Sequence, residues 1–192
     1  EVFSNFTWFS KCPILVYTGT LGYINGVGFL VDLARELNLI KSNVKIFVIG
    51  DGVERSKIEA YAISTGVLDD NFFMLPPVPK AEIPQILYHA TMVSCLFIDL
   101  PEMRSNSANK FFDGLAAGKP VFINFGGWLH EVVSDSGCGI SGWDKPIDLV
   151  AFQVNEYLND VASLSKGANA ARMLANQLFD RDTLASQVIN IV

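Results

Sequence analysis

Positive charge is scarce in this chain. Fourteen Lys and Arg face twenty Asp and Glu, for a net charge of −6. A protein that tracks a nucleic-acid backbone needs a basic face, so nucleic acid is excluded as a partner. Charged residues of either sign make up only 18% of the chain and half of it is hydrophobic, which excludes disorder. No apolar run is long enough to span a bilayer, and no signal-peptide pattern is present. Cysteine is sparse too: Cys12, Cys95 and Cys138 are odd in number, far apart and without CxxC spacing. That set builds neither a disulfide framework nor a thiolate metal centre and fits a reducing compartment, so a cytoplasmic location is expected. The two histidines, His89 and His130, have no metal-ligand spacing with Cys, Asp or Glu. No metal is expected, and no Ser-His-Asp arrangement is readable.

What the chain has is an alternation of short apolar runs and helical patterns over 192 residues. Ile14–Thr18, Val44–Ile49, Asn71–Leu75, Thr91–Ile98 and Pro120–Asn124 read as buried strands, with Ile140 in a last short one. Between them, Leu30, Leu33, Ala34 and Leu37 share one helical face, as do Ile58, Tyr61 and Ala62, then Ile83, Ile86, Leu87 and Ala90. From about Pro146 onward only helical spacing remains. This order predicts a Rossmann-like, doubly wound α/β fold: a parallel sheet of about six strands with C-terminal helices, as one domain. Ligands of such sheets bind beyond the carboxyl ends of the strands. Cys95, Phe97, Phe111, Phe112 and Phe122 are expected in the core, and Trp8 and Phe9 precede the first strand.

The most informative stretch is Asn106-Ser-Ala-Asn-Lys-Phe-Phe-Asp-Gly-Leu-Ala-Ala-Gly-Lys-Pro-Val-Phe-Ile-Asn124. It reads as a polar loop, a helix start, a short helix, a turn and a buried strand. A helix N-terminus presents unpaired N–H groups and the positive end of the dipole, which suits a phosphate. Ser107 or Asn109 is the expected N-cap. Lys110 is electrostatically misplaced there unless an anion is bound, or unless it pairs with Asp113 three residues on. Asp113 suits ribose hydroxyls or simply the helix dipole. Phosphate and ribose partners at one strand-to-helix junction point to a nucleotide.

Two other loops are glycine-rich. Thr18-Gly-Thr-Leu-Gly-Tyr-Ile-Asn-Gly-Val-Gly28 lets backbone approach a ligand at Gly19 and Gly22, or is a flexible turn. It is neither a Walker loop nor a dinucleotide fingerprint. Gly50-Asp-Gly52 reads as a tight turn in which Asp51 caps the next helix. His89 near a helix end suits dipole compensation or solvent exposure. His130 lies in a ligand-side loop, where a sugar contact and a structural bond are the two readings.

Five motifs occur in order: Thr18-Gly-Thr-Leu-Gly22, Val48-Ile-Gly-Asp-Gly52, Leu75-Pro-Pro-Val-Pro79, Asn109-Lys-Phe-Phe-Asp-Gly-Leu-Ala-Ala-Gly-Lys-Pro-Val121 and Gly126-Gly-Trp-Leu-His-Glu-Val-Val133. The set resembles the C-terminal, donor-binding domain of GT-B retaining glycosyltransferases of family 4. The Asn-Lys-Phe-Phe-Asp form resembles the branch that transfers N-acetylated or deoxyamino sugars onto lipid-linked precursors of surface polysaccharides. The resemblance implies a nucleotide-sugar donor, UDP-linked by preference, and no other cofactor. It implies diphosphate contacts from Gly19, Thr20, Gly22, Ser107, Asn109 and Lys110, ribose at Asp113, and the base at Val78 and Pro79. The donor sugar falls to Ser105, Asn106 and Glu102. Departures from the family pattern are Ser105 in place of a carboxylate, Thr20 in place of an arginine and Asn25 in place of a lysine; Lys110 and the backbone amides around Asn106 to Asn109 are expected to take over.

The resemblance also implies that residues 1–192 are the C-terminal half of a larger enzyme, a hexosyltransferase whose acceptor domain lies elsewhere. The fragment alone is then inactive, with residues 1–12 as linker and 180–192 as a crossover helix. The full-length protein is expected in the cytoplasm, peripheral to the inner face of the membrane, with a lipid-linked acceptor. Without the other domain, Phe179 and Leu184 are expected to expose apolar surface and drive self-association. Rival readings are a GT-B sugar-nucleotide epimerase and a non-catalytic α/β binding or regulatory module.

Overall fold

The computed structural model describes Phe3, Phe6, residues 11–180 and Ala185. Six strands, β1 (Ile14–Thr18), β2 (Lys45–Ile49), β3 (Phe72–Leu75), β4 (Met92–Cys95), β5 (Val121–Ile123) and β6 (Gly139–Ser141), form one sheet in the order β3-β2-β1-β4-β5-β6. Every pairing is parallel. The inner strands β2, β1, β4 and β5 are buried on both faces almost throughout, which is why they read as apolar runs, whereas the edge strands β3 and β6 are only partly buried. Among the described residues, seven α-helices flank them: α1 (Gly28–Leu39), α2 (Arg55–Ser64), α3 (Ile83–His89), α4 (Asn109–Ala116), α5 (Trp128–Ser136), α6 (Ile147–Asn159) and α7 (Val161–Gln177). The Rossmann-like, doubly wound fold expected from the residue pattern is the observed one.

Alternation along β1 divides the core. Leu15 and Tyr17 join Leu30, Leu33 and Leu37 of α1 and Val150, Val154 and Leu158 of α6 on one side of the sheet. Ile14 and Val16 face Phe47, Phe73 and α3's Ile86 and Leu87 on the other. Cys95, Val121 and Ile123 extend that second side toward α4, α5 and α7. Phe47 and Phe73 stack with centroids 4.9 Å apart, and Phe3 and Phe6 meet Phe47 edge-on. Each such buried ring contributes about 2–3 kcal/mol from burial. Buried Asn71 ties β3 to α1, its Nδ2 donating to the Ala34 carbonyl at 2.8 Å.

Several expectations need correction. Tyr61 does not face inward: it is 36% exposed, and its hydroxyl donates to Asp32 Oδ1 across the α1–α2 surface. Polar pairing outcompeted the helical spacing there. Asp51 does not cap α2, whose N-cap is Glu54; Asp51 instead accepts from the Gly52 N–H. The β4 run stops at Cys95 because the chain then leaves the sheet. Phe97 N–H donates to Asn124 Oδ1 at 3.0 Å and Ile98 N–H to the Ile24 carbonyl at 3.0 Å.

Among the expected core phenylalanines, Phe97, Phe111 and Phe122 are buried, whereas Phe112 is only partly so. Phe179 is packed rather than splayed into solvent, with its ring 5.1 Å from Phe112 and 6.2 Å from Trp128. Trp8, Phe9 and Leu184, and most of the expected linker and crossover segments, lie outside the described residues.

Candidate functional site

β1 and β4 are neighbours in the sheet although remote in sequence, so the strand order reverses between them. Such a switch point leaves a crevice beyond the carboxyl ends, because the loops on either side turn to opposite faces. The loop after β1 and the segment leading into α4 meet there.

The first loop is seated on the second. Gly19 N–H donates to the Ile49 carbonyl and Leu21 N–H to the Asp51 carbonyl, both at 2.9 Å. A Cβ on Gly50 would lie 1.9 Å from the Gly19 carbonyl oxygen, so only glycine admits this approach. Thr20 is exposed, and its carbonyl accepts from the Tyr17 hydroxyl at 2.7 Å. Asn25 is turned inward at 9% exposure, and its Oδ1 accepts from the Gly22 N–H at 3.2 Å. Gly22 therefore spends its amide on the loop itself.

Lys110 reaches into this loop from the first turn of α4. Its Nζ lies 5.1 Å from the Tyr17 ring centroid, and a Cβ on Gly19 would lie 2.6 Å from Lys110 Cε. Burial holds its pKa below the ordinary lysine value, with Cys95 and Asp113 nearby acting in the opposite direction. Among the described residues this ammonium has no ion pair or hydrogen bond, so the alternative of an Lys110–Asp113 bridge is not realised. Cys95, beside it in the core, has its thiol pushed up to about 12 by burial, so it stays protonated and inert.

The start of α4 is open. The N-cap is Ala108, not Ser107 or Asn109, and no side chain accepts from the first turn. Ser107 and Asn109 are exposed. An uncapped N-terminus facing a desolvated lysine is a place where an anion is stabilised twice over.

Asp113 is exposed and lines a groove of about 380 Å³ between α3 and α4, with Lys80, Ile83, Pro84, Leu87 and Tyr88. Val78, partly buried against the Phe47–Phe73 cluster, and exposed Pro79 lead directly into this groove at Lys80. Glu102 and Ser105 sit exposed on a 3-10 turn, Pro101–Ser105, and Asn106 follows it partly buried. Gly19 and Lys110 are thus in direct contact, and Asp113 shares a groove with the segment after Pro79. Gly22 is separated from the ligand side by its bond to Asn25.

Residue types alone did not mark Trp128 or Arg104. Trp128 Nε1 donates to the Asn106 carbonyl at 3.1 Å, and the Arg104 guanidinium lies 5.4 Å from the Trp143 ring centroid. His130 takes the structural reading, with Nδ1 2.7 Å from Ser141 Oγ and its ring 5.0 Å from Trp143. His89 is exposed in the last turn of α3. A second cleft of about 580 Å³ opens on the α1–α6 side, and none of the predicted site residues lines it. Among the described residues, no group of three His, Cys, Asp or Glu is placed to hold a metal, and no helix is long and apolar enough to cross a membrane.

Comparison with known proteins places this geometry. The family described as glycosyl transferases group 1 matches residues 12–160. An uncharacterized glycosyltransferase of Methanocaldococcus jannaschii is 22% identical over 178 residues, which cover 93% of this chain and 44% of that protein. The chain thus spans less than half the length of this curated relative. Among solved structures, Anabaena HepE in complex with UDP superposes with a TM-score of 0.80 at 18% identity, covering 95% of this chain and 49% of that one. The C-terminal domain of LpcC, a glycosyl transferase group 1 protein from Francisella tularensis, gives 0.72 at 16% identity, covering 90% of each chain. At these identities the structural likeness establishes the shared fold.

Proposed function

The chain belongs to the glycosyl transferases group 1 family, and on that premise we propose that residues 1–192 are the nucleotide-sugar-binding domain of a retaining glycosyltransferase of family 4. A separate acceptor domain of the same protein completes the active site. The whole enzyme transfers a sugar to a glycan or lipid-linked acceptor in surface polysaccharide synthesis, at the cytoplasmic side of the membrane. This domain alone binds the donor and does not transfer it.

The observation that carries this reading is the Lys110 ammonium, partly desolvated and with no ion pair or hydrogen bond among the described residues, lying against Gly19 at an uncapped helix start. As the bond from sugar to diphosphate breaks, negative charge gathers on the leaving diphosphate. Lys110, the Gly19–Thr20 backbone and the amides opening α4 stabilise that charge. Lys110 and these amides together replace the two cations that Thr20 and Asn25 do not supply. Asp113 takes the ribose hydroxyls one turn further along, and the base lies toward Val78 and Pro79. A uridine nucleotide is favoured, in keeping with the UDP bound to HepE, a protein of the same fold.

Calorimetry with UDP, GDP and ADP tests this. Heat of binding is expected with UDP strongest. No heat from any of the three at millimolar concentration overturns the reading.

A further inference from the structure

We propose that Trp128 is a positioning residue: it aims the amides that open α4 at the diphosphate. This rests on the donor-site reading above. The Trp128 ring packs beside Phe112 and Phe179. It acts through the Asn106 carbonyl, which accepts its indole N–H at 3.1 Å.

The consequence follows from peptide geometry. The Asn106 carbonyl and the Ser107 N–H belong to one rigid plane and point in opposite directions. Holding the carbonyl toward α5 therefore turns the Ser107 N–H away from α5. Among the described residues, neither the Ser107 N–H nor the Ala108 N–H finds an acceptor. Two backbone donors are left free and oriented, just ahead of the uncapped first turn of α4.

The indole is itself held in place. Its ring centroid lies 6.3 Å from that of Phe112 and 6.2 Å from that of Phe179. Next to it, Gly127 has φ +98°, and a Cβ there would lie 2.1 Å from the Arg104 carbonyl oxygen. The β5–α5 turn is therefore pressed against the segment that precedes α4, and the Trp128 N–H has little freedom to find another partner. A packed ring with one polar atom aimed at one carbonyl transmits position, which a flexible lysine or glutamine does not.

The test separates aiming from mere tethering. Trp128→Phe keeps the ring packing and loses the N–H. Its Tm is expected within about 2 °C of wild type, while its Kd for UDP rises about fivefold. In a second measurement, Trp8→Phe and Trp143→Phe leave Trp128 as the sole indole, and saturating UDP is expected to shift its emission. Unchanged UDP affinity in Trp128→Phe overturns the proposal. If that variant does not fold, the emission decides, and an emission blind to saturating UDP overturns it equally. A wild-type chain that binds no nucleotide overturns the donor-site reading and this inference with it.

Discussion

Lys110 and Gly19 occupy one space: the lysine side chain runs where any other residue at position 19 would place its Cβ, 2.6 Å from Lys110 Cε. Gly19 also has φ +133°, a conformation that L side chains rarely adopt. The glycine and the lysine are therefore one device. Glycine opens the floor of the crevice, and lysine fills it with a charge that makes no ion pair or hydrogen bond among the described residues.

Gly19→Ala is expected to displace Lys110 and to strain the loop. UDP affinity should fall about tenfold or more, with about 1–2 kcal/mol lost in stability. Calorimetry paired with thermal unfolding checks both. An alanine variant that binds UDP like wild type contradicts the contact.

Lys110→Met removes the charge and keeps most of the stem. The loss expected is about 2–3 kcal/mol of binding free energy, since a charge-assisted contact to phosphate disappears. Stability should hold or rise, because the native ammonium pays a desolvation cost in the free chain.

The pH dependence follows in sign. Lys110 has a folded pKa below its unfolded value of 10.5. The free chain therefore sheds this proton first as pH rises. Its contribution to stability is fully present above 10.5 and is lost as pH falls through the folded value. Diphosphate binding has the opposite sign: affinity is full below the folded pKa and weakens as pH rises through it. Titrations in buffers of different ionisation heat should show proton uptake on binding in that window, and Lys110→Met should abolish it.

Asp113→Ala should cost UDP about 1–2 kcal/mol while leaving affinity for 2′-deoxy-UDP nearly unchanged, if this carboxylate accepts from the ribose. Measuring both ligands against both proteins gives a cycle that isolates the hydroxyl contact. Equal losses for the two ligands contradict the ribose assignment.

Asn71→Leu tests the fold apart from the site. It removes the buried side-chain bond by which the segment before β3 is tied to the Ala34 carbonyl of α1. Destabilisation of about 2–3 kcal/mol is expected in denaturant unfolding, with UDP binding unaffected at temperatures where the variant is folded.

The sheet was legible because parallel strands covered on both faces need apolar side chains at successive positions, and Ile14 to Tyr17 and Ile46 to Ile49 are such runs. Helix faces were legible where packing alone decides orientation, as for Leu30, Leu33 and Leu37 in α1. Tyr61 broke the pattern because its hydroxyl found Asp32, a partner that spacing within α2 does not reveal. The cap at Ala108 was hidden for a related reason: its two polar neighbours, Ser107 and Asn109, each suit the role, and the backbone uses neither of them. Trp128 was invisible as an aid to the site because its partner, Asn106, lies in a different loop. Asn25 looked like a missing lysine; its folded-back bond to Gly22 needed the loop's three-dimensional path.

The most direct test of the central claim is a crystal structure of this chain soaked with UDP. The diphosphate is expected within hydrogen-bond reach of Lys110 Nζ and of the amides opening α4, with the ribose on Asp113. UDP seated elsewhere, in the cleft between the start of α1 and the segment Gly142 to Pro146 for instance, or a crevice empty at saturating nucleotide, contradicts the donor-site assignment.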